Sequence, residues 1–416
     1  MRLDSGINLN ILNTNKFKTV QIIIRFETKI EEEIFAKRAL LTCLFERNNK
    51  DYPDNKRFEE KLDTLYGAKF SATVEKKGEL HCLSLNLKLI NGRFVNEPNL
   101  VNEGIKFLKS VLFAPNIDEN HFNETTFELE KKNLIQFVES SIEDNAYYAK
   151  QQLKKTFFKQ ARHYLSSYGN KELIEREDAV SVYHYYQTML KEDQVEILVC
   201  GEVDDQKIIA AFSKFPFKKG RSTQAFETVD EGKQNIITEK VESKKASQSI
   251  LNLGYYVPVD IISHDYFALQ AFNGLFGGFA HSKLFQNIRE KQGLAYYADS
   301  SIDIMQHFLF VEAGIEQQNR NLALKLINQQ LREIQLGHFS DQELLQTSLL
   351  LKNIYQQGLD SQRALIERLY LSLKMPNLLP NDQWLEAFAK VSKEDVIRIA
   401  RQVELQAVYF LEGTAD

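Results

Sequence analysis

Val20-Gln-Ile-Ile-Ile-Arg-Phe26 places an apolar residue at every even position, and Ser249-Ile-Leu-Asn-Leu-Gly-Tyr255 is again strand-like at a shift of 229 residues. Period-two alternation marks a strand with one face on a core, the usual state of antiparallel sheets. Leu83-Ser-Leu-Asn-Leu-Lys-Leu89 alternates at odd positions. Between the first and third of these strands, Glu31 to Arg47 and Asn55 to Tyr66 carry apolar residues at helical spacing (Ile34, Phe35, Ala39, Leu40, Cys43, Leu44; then Phe58, Leu62, Leu65), parted by a Pro53-Asp54 turn. The order returns downstream. His264 to Phe276 and His281 to Lys291 read as helical runs, followed by a glycine-led strand from Gly293 and by Phe308-Leu-Phe-Val-Glu-Ala-Gly-Ile315. Gly67-Ala-Lys-Phe70 answers to Gly293-Leu-Ala-Tyr296 at a shift of 226, and the halves close on Val195–Gly201 and Ala407–Gly413. A repeated unit implies a duplicated domain. The sequence therefore predicts an α+β fold of two homologous units, each an antiparallel sheet covered by helices.

Lys218 to Lys245 is polar and predicts the joint: a first domain over 1–219, a linker over 220–245 and a second domain over 246–416. Ser340-Asp-Gln-Glu343 and Ser392-Lys-Glu-Asp395 have the hydroxyl-plus-acid spacing that starts a helix. With 416 residues, 28 Phe and 17 Tyr the chain can bury a large core, and 18 Gly with 7 Pro exclude collagen-like or linker-rich material. A net charge of −5 lacks the basic excess that phosphate backbones require, so no nucleic acid partner is expected. The first dozen residues lack the pattern of a signal peptide and no apolar run reaches membrane length, which predicts a cytoplasmic protein without a membrane partner. Cys43, Cys82 and Cys200 are widely spaced, as expected of reduced thiols.

Leu284-Phe-Gln-Asn-Ile-Arg289-Glu-Lys-Gln-Gly293-Leu-Ala-Tyr296, preceded by the glycine turn Gly274-Leu-Phe-Gly277-Gly278, resembles the "LFxxIREKxGLAY" signature of the insulinase/pitrilysin (inverzincin) metallopeptidases. Lys50-Asp-Tyr-Pro53, Leu65-Tyr-Gly67, Phe127 to Leu134 and Val199-Cys-Gly-Glu-Val-Asp204 fall where that family has its equivalents. The stretch Leu65 to Leu87 is most similar to the inactive YmfF-like subgroup. The resemblance spans essentially the whole chain and implies the duplicated fold derived above.

It also implies a chemistry, which this chain has lost. The family holds zinc with two histidines four apart on one helix face, a glutamate base between them and a further glutamate from a later helix. Here the aligned positions are Ala39, Thr42 and Cys43, and alignment puts Phe137 at the later glutamate, with Glu139 on a different face. No two of the 8 histidines are spaced for a common helix face, so a relocated metal site would need tertiary assembly. No catalytic residue, metal ligand or cofactor is expected in this chain. Arg289 and Tyr296 do remain, and the resemblance makes them substrate-binding groups beside Gly277 and Gly278. It further implies a peptide substrate and a heterodimer with a zinc-bearing paralogue that supplies the metal, with links to elongation factor P modification or to peptide maturation. The alternatives are a non-hydrolytic peptide- or protein-binding scaffold, or a metallopeptidase with a rebuilt site.

Overall fold

The computed structural model describes residues 1–414. The first half runs β1 (Arg2–Asp4), β2 (Ile7–Asn13), β3 (Thr19–Lys29), α1 (Glu32–Arg47), α2 (Asn55–Thr64), β4 (Lys69–Lys77), β5 (Leu80–Ile90), α3 (Leu100–Phe113), β6 (Ile117–Asp118), β7 (His121–Phe122), α4 (Glu124–Glu143), α5 (Asn145–Phe157), α6 (Ala161–Tyr164), α7 (Lys171–Glu175), α8 (Ala179–Glu192), β8 (Gln194–Gly201) and α9 (Asp205–Phe212). The second half runs β9 (Thr238–Lys245), β10 (Ser249–Tyr256), α10 (Asp265–Asn273), β11 (Ala295–Asp303), β12 (Phe308–Ile315), α11 (Arg320–Gln335), α12 (Asp341–Gly358), α13 (Gln362–Lys374), α14 (Asn381–Lys390), α15 (Lys393–Ala400) and β13 (Glu404–Thr414). Both capping signals fold as read, with the Ser340 and Ser392 hydroxyls accepting from the backbone N–H groups of Glu343 and Asp395.

The duplication shows in the sheet topology, with β1 the one added strand. One sheet has the order β1-β2-β8-β3-β5-β4 and the other β11-β12-β10-β13-β9. Read from opposite ends, five strands correspond, including one parallel pair at the same place, β2 with β8 and β9 with β13. Strand β9 lies inside the stretch predicted as linker. Its sequence Thr-Glu-Lys-Val-Glu-Ser-Lys-Lys is exposed almost throughout, so it has no apolar face to betray it. Charged side chains of this kind also protect an edge strand from pairing with other chains.

The compact units are not contiguous in sequence. One comprises Met1–Ser140, Leu165–Glu227 and Leu359–Lys374, the other Ser141–Tyr164, Thr228–Gly358 and Met375–Asp416. This departs from the division at 220–245, because the halves exchange equivalent helices: α13 packs on the first sheet and α5 on the second. In the first unit, even positions of β3 (Val20, Ile22, Ile24, Phe26) join the large core under α1, α3 and α8. Odd position Ile23 joins Leu198, Cys200, Ile366 and Tyr370 in a separate core beneath α13. In the second unit, Leu251, Leu253 and Tyr255 of β10 face the main core with α10, α11 and α15. The opposite face is so tightly covered by α5 that a Cβ on Gly254 would lie 3.0 Å from the Phe157 ring.

Candidate functional site

Helix α1 buries most of the face on which the zinc motif would sit. Ala39 is fully buried and offers no donor. Thr42 is buried too, and its hydroxyl donates back to the Ala39 carbonyl at 2.7 Å, so it is turned onto its own helix. Cys43 is half-buried, and burial pushes its thiol up to about 12, with the Glu130 and Glu46 carboxylates adding to the effect. The thiolate is the nucleophile and the metal ligand. At neutral pH this sulfur is therefore a neutral, unreactive thiol.

The acid brought to Cys43 from the later helix is Glu130 of α4. It is only 8% exposed, and its Oε1 lies 3.2 Å from Nε of Arg47, in the last turn of α1. Phe137, the residue that alignment placed at the family glutamate, sits seven residues further along, about 10 Å up the helix axis. It is 51% exposed and packs edge-on against Tyr168. Glu130 and Phe137 are two helical turns apart and so share a face of α4. The residues at the ligand positions do not suit zinc: Ala39 and Phe137 have no donor and Cys43 is a protonated thiol, while Thr42 at the base position has its hydroxyl spent on backbone. Among the described residues, no three His, Cys, Asp or Glu side chains converge to hold a metal.

In the same unit β4 is the outer strand of its sheet, beside α1. Glu46, one turn beyond Cys43, accepts the Ala72 N–H at 2.5 Å, and Ser167 donates to the Val74 carbonyl at 3.1 Å. Two ladder groups of the edge are thereby closed by side chains.

The second unit carries the retained signature. Gly274–Gly278 and Phe285–Lys291 form wide π turns, a geometry that recurs at functional sites. Gly277 is buried, and a Cβ there would lie 2.6 Å from the backbone nitrogen of Ser300 on β11. Gly278 is exposed, and a Cβ there would press on Asn273 at 2.9 Å. Packing thus accounts for both glycines. Arg289 keeps 44% of its side chain exposed, with its guanidinium 4.7 Å from the Phe285 ring centroid and 3.7 Å from Glu290. Ala295 pairs with Ile315 and Tyr297 with Gly314, so Tyr296 is the extra residue of a β-bulge in β11. Bulges re-aim side chains, and Tyr296 is 66% exposed. That device could not be seen in the sequence, where Tyr296 reads as an ordinary strand residue.

Comparison with known proteins agrees with this geometry. The Bacillus subtilis protein named "Probable inactive metalloprotease YmfF" is 32% identical over 410 residues, 98% of this chain and 96% of that protein. The chain belongs to the YmfF-like inactive branch of the M16 peptidase family. Residues 176–348 match the family described as "Peptidase M16 inactive domain". A conserved protein from Enterococcus faecalis V583, known by its crystal structure, superposes with a TM-score of 0.96 at 39% identity, covering 100% of this chain and 98% of that one. A shorter similarity, 24% over 168 residues (40% of this chain, 42% of that protein), links it to the Bacillus subtilis antilisterial bacteriocin subtilosin biosynthesis protein AlbE. Within this M16 branch the loss of the ligands at Ala39 and Cys43 and of the base at Thr42 has its physical meaning: the chain is an inactive peptidase homologue. No helix among the described residues is long and apolar enough to cross a membrane.

Proposed function

We propose that this M16 homologue is the non-catalytic subunit of a peptide-processing complex in the cytoplasm. It pairs with a zinc-bearing paralogue that carries His-x-x-Glu-His, and it contributes Arg289 and Tyr296 as peptide-binding groups. One observation carries the reading: the metal-binding positions are closed, while Arg289 and Tyr296 stay exposed and a bulge throws Tyr296 clear of its sheet. Hydrogen-bond donors such as a guanidinium and a phenol suit the carbonyl groups of a peptide backbone. The similarity to AlbE favours maturation of a peptide product; a link to elongation factor P modification rests on the family resemblance.

The test is co-expression with the zinc-bearing paralogue from the same genome, followed by co-purification and peptide hydrolysis. Arg289→Ala and Tyr296→Phe are expected to leave the complex intact and to lower its kcat/KM, by about 10²-fold for the arginine if it faces the reacting carbonyl. Failure to form the complex, or unchanged hydrolysis by both variants, would refute the proposal and favour a scaffold that binds elsewhere.

A further inference from the structure

The second sheet carries a polar row that nothing in its packing explains. On the face covered in part by α5, Asp299 of β11 is directly opposite Glu312 of β12, and Glu312 is directly opposite Asn252 of β10. Residues paired in this way share a face and stand within side-chain reach. Two acids in direct opposition destabilise a sheet. Burial raises the pKa of both carboxyls, and each is relieved by Lys150 of α5. Lys150 stands with its ammonium 4.6 Å from the Phe310 ring centroid, one cation facing two acids. The Tyr297 phenol reaches the same carboxyl of Glu312.

The second, independent sign is Asn252. It has no exposed surface, and neither its Oδ1 nor its Nδ2 has a hydrogen-bond partner. A buried amide left unpaired is costly, and a leucine at this position would suit a strand whose neighbours are Leu251 and Leu253. Asn252 adds a neutral oxygen acceptor directly opposite Glu312. Lys150 leaves the cluster net negative, and Asp144 adds to the field on Glu312, which suits a cation. Among the described residues no three His, Cys, Asp or Glu side chains converge to hold a metal, so an organic cation fits better. An ammonium donates three hydrogen bonds and a guanidinium five. Asp299 is exposed and Glu312 half-buried, so the acids can be approached from solvent.

We propose that Asp299, Glu312 and Asn252 form a subsite for the ammonium or guanidinium group of a lysine or arginine side chain in a bound peptide. The subsite deepens the peptide-binding reading above and rests on it. It gives the homologue a preference for basic peptides through one unit alone.

The test passes a random octapeptide pool over the immobilised full-length chain and measures the composition of the retained fraction by mass spectrometry. Lysine and arginine are expected to be enriched about fivefold over the input, as a half-exposed ion pair allows. Asp299→Asn with Glu312→Gln should return them to the input level. Those changes are isosteric and remove both the mutual repulsion of the acids and their attraction to Lys150, so the melting temperature should change little. Asp382→Asn with Glu386→Gln, on the exposed acids of α14 in the same unit, should leave the enrichment unchanged. Retention of peptides with no basic preference would overturn the subsite while sparing peptide binding. Enrichment that survives in the Asp299/Glu312 variant would also overturn it. A chain that retains no peptide at all would overturn both readings.

Discussion

Replacing Lys374 by methionine tests how the exchanged helix α13 is held. The Lys374 ammonium lies 2.5 Å from Glu27 and 3.2 Å from Glu196, and its side chain is 7% exposed. Glu27 has no exposed surface and Glu196 has 3%. Tyr370, one turn earlier, is packed among cations, with Arg25 at 4.3 Å and Lys77 and Lys374 each at 5.6 Å from its ring centroid. Breaking a buried pair from one side strands the opposite charge and costs about 3–5 kcal/mol. Hydrogen exchange over Gln362–Lys374 and Thr19–Lys29 should then speed up by about 10²–10³-fold wherever exchange passes through release of α13. The pH dependence has a definite sign. Burial already raises the pKa of Glu27, and Lys374 is the largest influence holding it down. Without the lysine the folded state binds that proton more tightly than the unfolded chain does, so the variant gains stability as pH falls. Its deficit should be largest near about pH 8 and shrink towards about pH 5.5. Glu27→Gln added to the variant should recover much of the loss, since a buried pair replaced from both sides is often neutral. A deficit below about 1 kcal/mol, or one that does not change with pH, would refute the account of how α13 is docked.

Three further outcomes are expected. Elemental analysis of the purified, untagged chain should find far less than one zinc per chain; one tightly held zinc would overturn the reading of Ala39, Thr42, Cys43 and Phe137. Cys43, with its thiol pushed up to about 12, should react with iodoacetamide near pH 8 about 10³-fold more slowly than an ordinary thiol, and labelling at the unfolded rate would refute its protected state. Residues 1–219 expressed alone should aggregate, because the core around Ile23 and Leu198 is closed by Ile366 and Tyr370 of α13; a soluble, folded monomer would show that the exchanged helix is dispensable.

The period-two strands at Val20–Phe26 and Leu83–Leu89, the helical run that became α1 and the recurrence of both some 226 to 229 residues later were enough to state a duplicated α+β fold. Missing zinc ligands were equally legible, because a helix face needs named residue types at fixed spacing to bind metal. What periodicity reports is which side of an element is buried, not what buries it. The exchange of α5 and α13 was therefore invisible: an amphipathic helix satisfies its apolar stripe against either sheet. Strand β9 escaped because an exposed edge has no buried side to report. The nearness of Glu130 to Cys43 and its pairing with Arg47 were not legible either, because they depend on how α4 packs against α1. Cross-strand neighbours such as Asp299, Glu312 and Asn252, and the bulge that turns out Tyr296, depend on register between strands far apart in the chain. Only folding sets that register, since it is the backbone ladder that brings distant side chains opposite one another.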